Sequence, residues 1–260
     1  MASTTCASTP EICSLIVFHL ITSESVAVYA TVSREWRSAV ERHSFSTLQL
    51  NQSRLADFAR IVTGPRRRAV RCLRFDIVLD AYSVGMQGRF ETREEQERNS
   101  EVFTEAIQTL FSQLSSWHPQ DVRETGIELF LQAYSPSDPS RMKEGALEER
   151  LGNPCRALGG RHRDLLAERF QSSFLRLITT DTNSGSQQEL LPVVSYITKL
   201  EIVDSGRPIG FNDLRRFWPG SVCLIASKLP RLLTIDFSLW DTEKKDLDLR
   251  RRARNGRDNT

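Results

Sequence analysis

The sequence predicts a mixed α/β protein in which a small helical module precedes an irregular solenoid of strand and helix units. Three observations predict this fold. Apolar residues recur at helical spacing up to Val40, alternating or continuous apolar runs typical of strands begin at Phe45, and helical segments separate those runs. The 260 residues are 39% apolar, which is enough for a sizeable core.

The first helix has a clear start signal and two apolar faces. Thr9 can cap it, Pro10 suits the first helical position, and Glu11 lies near the positive end of the helix dipole. One predicted apolar face consists of Ile12, Leu15, Ile16 and Leu20, and the other of Cys13, Val17 and Ile21. A short helix with two such faces needs two covering surfaces. Its own chain can supply one, and we expect a partner to supply the second.

Two more short helices are predicted before the first strand. Thr22 or Ser23 can cap a helix that runs from Glu24 to Thr31. Ser33 can cap the third helix, in which we expect Val32, Trp36 and Val40 to share a face. Three helices of this length bury little surface, so we expect the module to depend on the following region, on another protein, or on both.

A strand, helix, strand unit follows the module. Phe45 to Leu50 and Val70 to Leu79 are predicted strands, and Ser53 to Val62 is predicted to be the helix between them. Leu48 and Leu73 occupy equivalent positions 25 residues apart, within the period of leucine-rich repeats. Such a unit covers its apolar face only when a neighbouring unit stacks on it.

The same pattern returns at longer and unequal intervals. Thr92 to Glu95 is a capping box, followed by a helix whose predicted core face consists of Phe103, Ala106, Ile107, Leu110, Phe111 and Leu114. Further strands are predicted at 126–133, 197–203 and 232–239, with a helix at 222–230 before the last of them. No successor to the strand near Ile235 is predicted, so we expect an open edge there.

Composition divides the chain into three parts. We predict the helical module at 8–50, the repeat region at 51–240 and a charged tail at 241–260. Two stretches rich in Pro, Gly, Ser and charge, near 135–163 and 179–189, are predicted to be mobile loop insertions.

Motifs of the common enzyme classes are absent from the sequence. It contains no phosphate-cradling glycine loop, nucleophile elbow, dinucleotide fingerprint or zinc-protease motif, and its four histidines are widely separated. We therefore expect no catalytic residue, cofactor or metal. The five cysteines lack paired spacing, and no apolar run reaches membrane-spanning length. A cytoplasmic or nuclear protein with no membrane partner is expected.

Two arginine clusters are the strongest charge features. One consists of Arg66, Arg67, Arg68, Arg71 and Arg74, and the other of Arg250, Arg251, Arg252 and Arg254. They suit either phosphate contact, a nuclear signal or simply a solvated face. The net charge of only +2 and the absence of an aromatic stacking motif argue against a nucleic-acid partner.

The N-terminal segments "TPEICSLIVFHL" (9–20) and "SVAVYATVSREWRSAV" (25–40) resemble an F-box. The resemblance consists of the Pro-Glu-Ile start, the apolar row and the Val-Ser-x-x-Trp of the third helix. The remainder resembles the leucine-rich-repeat-like region of fungal F-box proteins, in "FARIVTGPRRRAVRCLRF", "AYSPSD" and "WDTEKKDLDLR". One position departs from the family's pattern, because Thr9 stands where the family usually has Leu.

The resemblance implies a non-enzymatic adaptor of a Skp-cullin-F-box ubiquitin ligase. In that family the F-box docks on the Skp-type adaptor, and through it on a cullin, while the repeats hold a target protein. The F-box positions matched here are Pro10, Ile12, Leu15, Ile16, Leu20, Val32, Ser33 and Trp36. Two alternatives remain from the residues alone. The protein could be a repeat scaffold in which the three helices form only the core of a cap on the repeats, or it could bind nucleic acid through its arginines.

Overall fold

The computed structural model describes residues 12–13, 15–17, 26–83, 86, 89–138, 173–178, 191–202 and 215–237. Residues 12–13 and 15–17 are helical. The α-helices that follow are α1 (Arg34–Ser44), α2 (Leu55–Ile61), α3 (Pro65–Ala69), α4 (Arg93–Ser115) and α5 (Pro219–Ser227). Three 3-10 helices lie at Val26–Thr31, Gln52–Arg54 and Pro119–Asp121. The strands are β1 (Thr47–Asn51), β2 (Cys72–Val78), β3 (Ile127–Tyr134), β4 (Phe174–Leu175), β5 (Ile197–Ile202), β6 (Arg216–Phe217) and β7 (Thr234–Phe237).

The main sheet is parallel and has the strand order β1-β2-β3-β5-β7. The mixed α/β class is therefore confirmed, and each of the five predicted strands begins within two residues of its predicted start. Leu48 lies in register with Leu73, so the two leucines compared in the sequence are neighbours on adjacent strands. Strands that follow one another in the sheet in chain order are what a stack of strand and helix units would produce.

Helix α4 forms the core together with one face of this sheet. Its capping box is confirmed, since the Thr92 hydroxyl accepts from the Glu95 backbone N–H at 3.2 Å and the Glu95 carboxylate accepts from the Thr92 N–H at 2.9 Å. The predicted core residues are all buried: Phe103, Ala106, Ile107, Leu110, Phe111 and Leu114. At the end of α4 the buried Tyr196 hydroxyl donates to the Leu114 carbonyl at 2.5 Å.

Beside this core, strands β4 and β6 form a second, two-stranded parallel sheet that the sequence pattern did not predict. A buried polar cluster joins the segments around it. The Glu91 carboxylate accepts from the Asn99 amide at 2.9 Å, from the Ser173 hydroxyl and from the Arg215 guanidinium, and Arg215 lies 3.8 Å from the Asp138 carboxylate. All five residues are buried, so the cluster joins the described ranges 89–138, 173–178 and 215–237.

Most of the predicted loops and the predicted tail lie outside the described residues. The first four residues of the 135–163 loop are described, and they form a turn whose Ser135, Ser137 and Asp138 are buried. The Ser135 backbone N–H donates to the Asp138 carboxylate at 2.6 Å. This end of the predicted loop is therefore packed against the protein. Among the described helices, none is both long and apolar enough to cross a membrane.

We predict that Gly126→Ala destabilises the fold by about 3 kcal/mol. Gly126 has a φ of +75°, and an added Cβ would meet the Thr198 side chain and would lie 2.8 Å from the Tyr196 carbonyl oxygen. Gly64→Ala is the matched control, because its φ is +51° but no atom of the described residues lies within 4 Å of its Cβ position. Urea unfolding should give a loss of only about 1 kcal/mol for the control. Equal losses for the two variants would contradict the steric explanation.

We predict that Arg215→Met destabilises the fold by about 3–5 kcal/mol, because it leaves the Glu91 and Asp138 carboxylates buried without their shared guanidinium. Arg93→Met is the control, since Arg93 forms an exposed ion pair with Glu97 at 2.8 Å and its replacement should leave the free energy of unfolding nearly unchanged. The free energy of unfolding in urea measures both. A loss for Arg215→Met as small as that of the control would show that the cluster adds no stability.

Candidate docking surface

The N-terminal helical segment is anchored through one of its two predicted apolar faces. Cys13 and Val17 are 0% and 1% exposed, and they form a small buried cluster with Ala39 and Val40 of α1. Tyr29, Ala30 and Trp36 pack around this cluster in part-buried positions. The cluster is separate from the core between α4 and the sheet. One predicted face of the first helix is therefore covered by the chain itself.

The other predicted face of that segment is exposed. Ile12, Leu15 and Ile16 are 49%, 61% and 39% exposed, and their spacing of three and four residues places them on one side of the helix. The prediction of two apolar faces is confirmed for these described residues. Pro10 and Leu20, which were assigned to the same docking set, lie outside the described residues.

Val32 is also exposed, for a reason that the sequence reading missed. The prediction that Val32 shares a face with Trp36 and Val40 is wrong, since Val32 is 64% exposed while Val40 is buried. Helix α1 begins only at Arg34 with Ser33 as its cap, so helical spacing does not govern the direction of Val32. Val28, which the sequence analysis did not single out, is 70% exposed in the preceding 3-10 helix. We call Ile12, Leu15, Ile16, Val28 and Val32 the N-terminal apolar surface.

Ser33 and Trp36 form contacts within the helical module: Ser33 caps α1, and Trp36 packs against Tyr29. The Ser33 hydroxyl accepts from the Trp36 backbone N–H at 3.3 Å and donates to the Glu35 carboxylate at 2.6 Å, which lowers the pKa of Glu35. The half-buried Trp36 ring lies 5.8 Å from the Tyr29 ring, centroid to centroid. Of the predicted docking residues, these two position the helices, whereas Ile12, Leu15, Ile16 and Val32 face outward.

The main sheet presents a second surface, on the face opposite α4. Residues in register across parallel strands share a face, and one row runs through Gln49, Arg74, Phe130, Glu201 and Asp236. The neighbouring row consists of Thr47, Cys72, Glu128, Lys199 and Thr234. None of these residues is fully buried. We call the two rows the open sheet face.

Phe130 lies between two cations on the open sheet face. The guanidinium of Arg74 is 5.1 Å from its ring centroid and the Lys199 ammonium is 5.3 Å from it. Lys199 also pairs with Glu201 at 2.8 Å, and this contact raises the pKa of Lys199. The face therefore combines one aromatic ring with charges of both signs. Of these residues, Phe130 and Arg74 are of types enriched at protein interfaces, whereas Lys, Glu and Asp are depleted there.

Two arginines of the first arginine cluster form ion pairs within the protein. Arg66 pairs with Glu41 at 2.8 Å and lies over the Phe45 ring. Arg67 pairs with Asp121 at 3.2 Å and lies over the Trp117 ring. Two of the five cluster arginines are thus neutralised and packed. The second arginine cluster lies outside the described residues.

Within the described part of the chain, no group of three or more His, Cys, Asp or Glu side chains could hold a metal ion. Cys72 and Cys223 are not in disulfide bonds, and burial raises the pKa of the Cys72 thiol. The buried cluster around Glu91 and Arg215 contains the functional groups of an acid-base site, but its side chains have no solvent access. We assign it a structural role.

Comparisons of the chain with protein-family models, with curated proteins and with solved structures found no match. The function is therefore inferred from the residues of the chain itself.

Proposed function

We propose that the chain is a non-enzymatic substrate-recognition adaptor of a Skp-cullin-F-box ubiquitin ligase. The observation that carries the proposal is the exposure of Ile12, Leu15, Ile16 and Val32 while the opposite face of the same helical module is packed. With Val28, five large apolar side chains are exposed between residues 12 and 32. Exposed apolar residues gathered in this way are typical of a protein interaction site. The F-box resemblance of the same stretch is our reason for proposing a Skp-type adaptor as the partner.

The free energy available from covering this surface fits a docking role. Full burial of one Leu, Ile or Val side chain contributes about 1.5–3 kcal/mol, and the exposed fractions of these side chains are about one half. The summed free energy of burying these side chains offsets only part of the cost of association, so further contacts with the adaptor are needed for tight binding. Thr9 contributes less apolar surface than the family's usual Leu, so docking through it is expected to be weaker by about 1–2 kcal/mol.

In this proposal the repeat region holds the target protein, and the open sheet face is the surface we assign to it. The face crosses all five strands, so a bound segment would contact residues from every repeat unit. The ligase chemistry then belongs to other subunits. The role of this chain is to raise the local concentration of the target near the ubiquitin-loaded enzyme.

We predict that Leu15→Asp weakens binding of the Skp-type adaptor of the same organism about 100-fold. The substitution removes apolar burial and places a charge in the interface, a loss of about 3 kcal/mol. The fold should be retained because Leu15 is exposed. Leu233→Asp is the control: Leu233 is 84% exposed and lies outside the N-terminal apolar surface. Biolayer interferometry on the purified full chain measures the dissociation constants.

Two outcomes would contradict this prediction. The wild-type chain could fail to bind the adaptor although its circular dichroism shows a folded protein. Alternatively, Leu15→Asp could bind as tightly as Leu233→Asp, in which case the three helices would only cap the repeats and the scaffold alternative would stand.

We predict that Phe130→Ala abolishes target capture while the affinity for the adaptor stays within about twofold of wild type, because the two surfaces do not overlap. The proteins captured by the tagged wild-type chain, by Phe130→Ala and by Leu15→Asp are compared by quantitative mass spectrometry. A true target is lost from Phe130→Ala, stays bound to Leu15→Asp, and accumulates in cells that carry only Leu15→Asp. If no protein behaves in this way, the assignment of the open sheet face is wrong.

A further inference from the structure

A positively charged cleft of about 510 Å³ lies between α1 and α3. Five arginines line it, Arg34, Arg37, Arg42, Arg66 and Arg68, and Glu41 is the one acidic residue among the described lining residues. The lining residues of α1, at positions 34, 37, 38, 41 and 42, are related by steps of three and four, so they form a stripe along one side of the helix. Neither the apolar surface nor the open sheet face includes any of these residues.

The positive charge of the cleft is only partly balanced by the protein. Glu41 is paired with Arg66 at 2.8 Å, and the nearby Glu35 accepts from the Ser33 hydroxyl. In the described ranges, no carboxylate lies within ion-pair distance of Arg34, Arg37, Arg42 or Arg68. Like charges gathered on one helix face repel one another, so an anion in the cleft would be stabilising.

The other contacts of these arginines engage neutral acceptors. Arg37 donates to the Ala30 carbonyl at 3.4 Å, and Arg42 donates to the Ser38 hydroxyl at 3.4 Å. Arg68 donates to the Gln120 carbonyl at 3.2 Å. Each contact uses one of the five N–H donors of a guanidinium, which leaves the planar fork able to bind an oxyanion in two-point fashion.

The lining of the cleft also indicates which anion it suits. Among the described residues that line it none is aromatic, so they offer no stacking platform of the kind that single-stranded nucleic acid uses. Its volume fits a few residues of peptide, and its donors are spread over two helices. We propose that the cleft binds an acidic segment of a partner protein, in which carboxylate or phosphate groups lie a few residues apart. This inference does not depend on the ubiquitin-ligase proposal.

Fluorescence anisotropy with the full chain tests this inference. The probes are a labelled Glu-rich dodecapeptide, the same peptide with two phosphoserines, its Gln-for-Glu counterpart and a dodecamer of uridylate. The cleft variant carries Arg37→Gln, Arg42→Gln and Arg68→Gln. The matched control variant carries Arg54→Gln, Arg93→Gln and Arg98→Gln, three exposed arginines outside the cleft, so the two variants have the same net charge. Thermal unfolding confirms that both are folded.

The wild-type chain should bind the acidic or the phosphorylated peptide and should not bind the Gln peptide. The cleft variant should bind about 30-fold more weakly, and the control variant should stay within about twofold of wild type. Whichever of the two anionic peptides binds more tightly identifies carboxylate or phosphate as the preferred group. The inference is overturned if the folded wild type binds neither peptide, if the two triple variants lose equal affinity, or if the uridylate binds more tightly than both peptides.

Discussion

The packing of α4 on one face of the parallel sheet is the interaction that organises the described structure. Its apolar side chains, including Phe103, Ile107 and Leu110, are excluded from solvent against strands of the sheet. Because side chains alternate along each strand, closing one face leaves the other to Arg74, Phe130 and their neighbours. The open sheet face is thus a direct result of where α4 lies.

The helical module depends on a different and much smaller apolar cluster. Four buried residues, Cys13, Val17, Ala39 and Val40, form its centre. The Arg66–Glu41 ion pair and the Arg66–Phe45 contact connect α1 to the chain that leads into the sheet. One apolar row of the first helical segment is buried in this cluster, and the other row is exposed. The same sequence pattern therefore provides both an attachment to the protein and a candidate surface for a partner.

Much of the fold could be predicted because local patterns decide it. The capping box at Thr92, the core face of α4 and the five main strands follow from periodicity and capping alone. The β4–β6 pair, by contrast, involves strands of two residues each, too short for any period. The buried cluster of Glu91, Asp138 and Arg215 joins residues far apart in the chain, and no local pattern encodes such a contact.

The candidate sites show the same division. The exposed face formed by Ile12, Leu15 and Ile16 was predictable from helical spacing, whereas the exposure of Val32 depends on where the Ser33 cap places the helix start. The arginine cluster predicted from the sequence is divided in space. Arg67 pairs with Asp121 and Arg74 lies over Phe130, while Arg66 and Arg68 line a cleft with arginines of α1.

The separation of the two apolar clusters has a consequence for how the molecule opens. The free energy of local unfolding should be much smaller for the module, which has four buried residues at its centre, than for the extensive core against the sheet. The module can therefore unfold locally while the sheet stays intact. Backbone amides in α1 would then exchange with solvent deuterium sooner than those in β2 or β3. A macromolecule that clamps the module would slow that exchange in proportion to its affinity, by mass action.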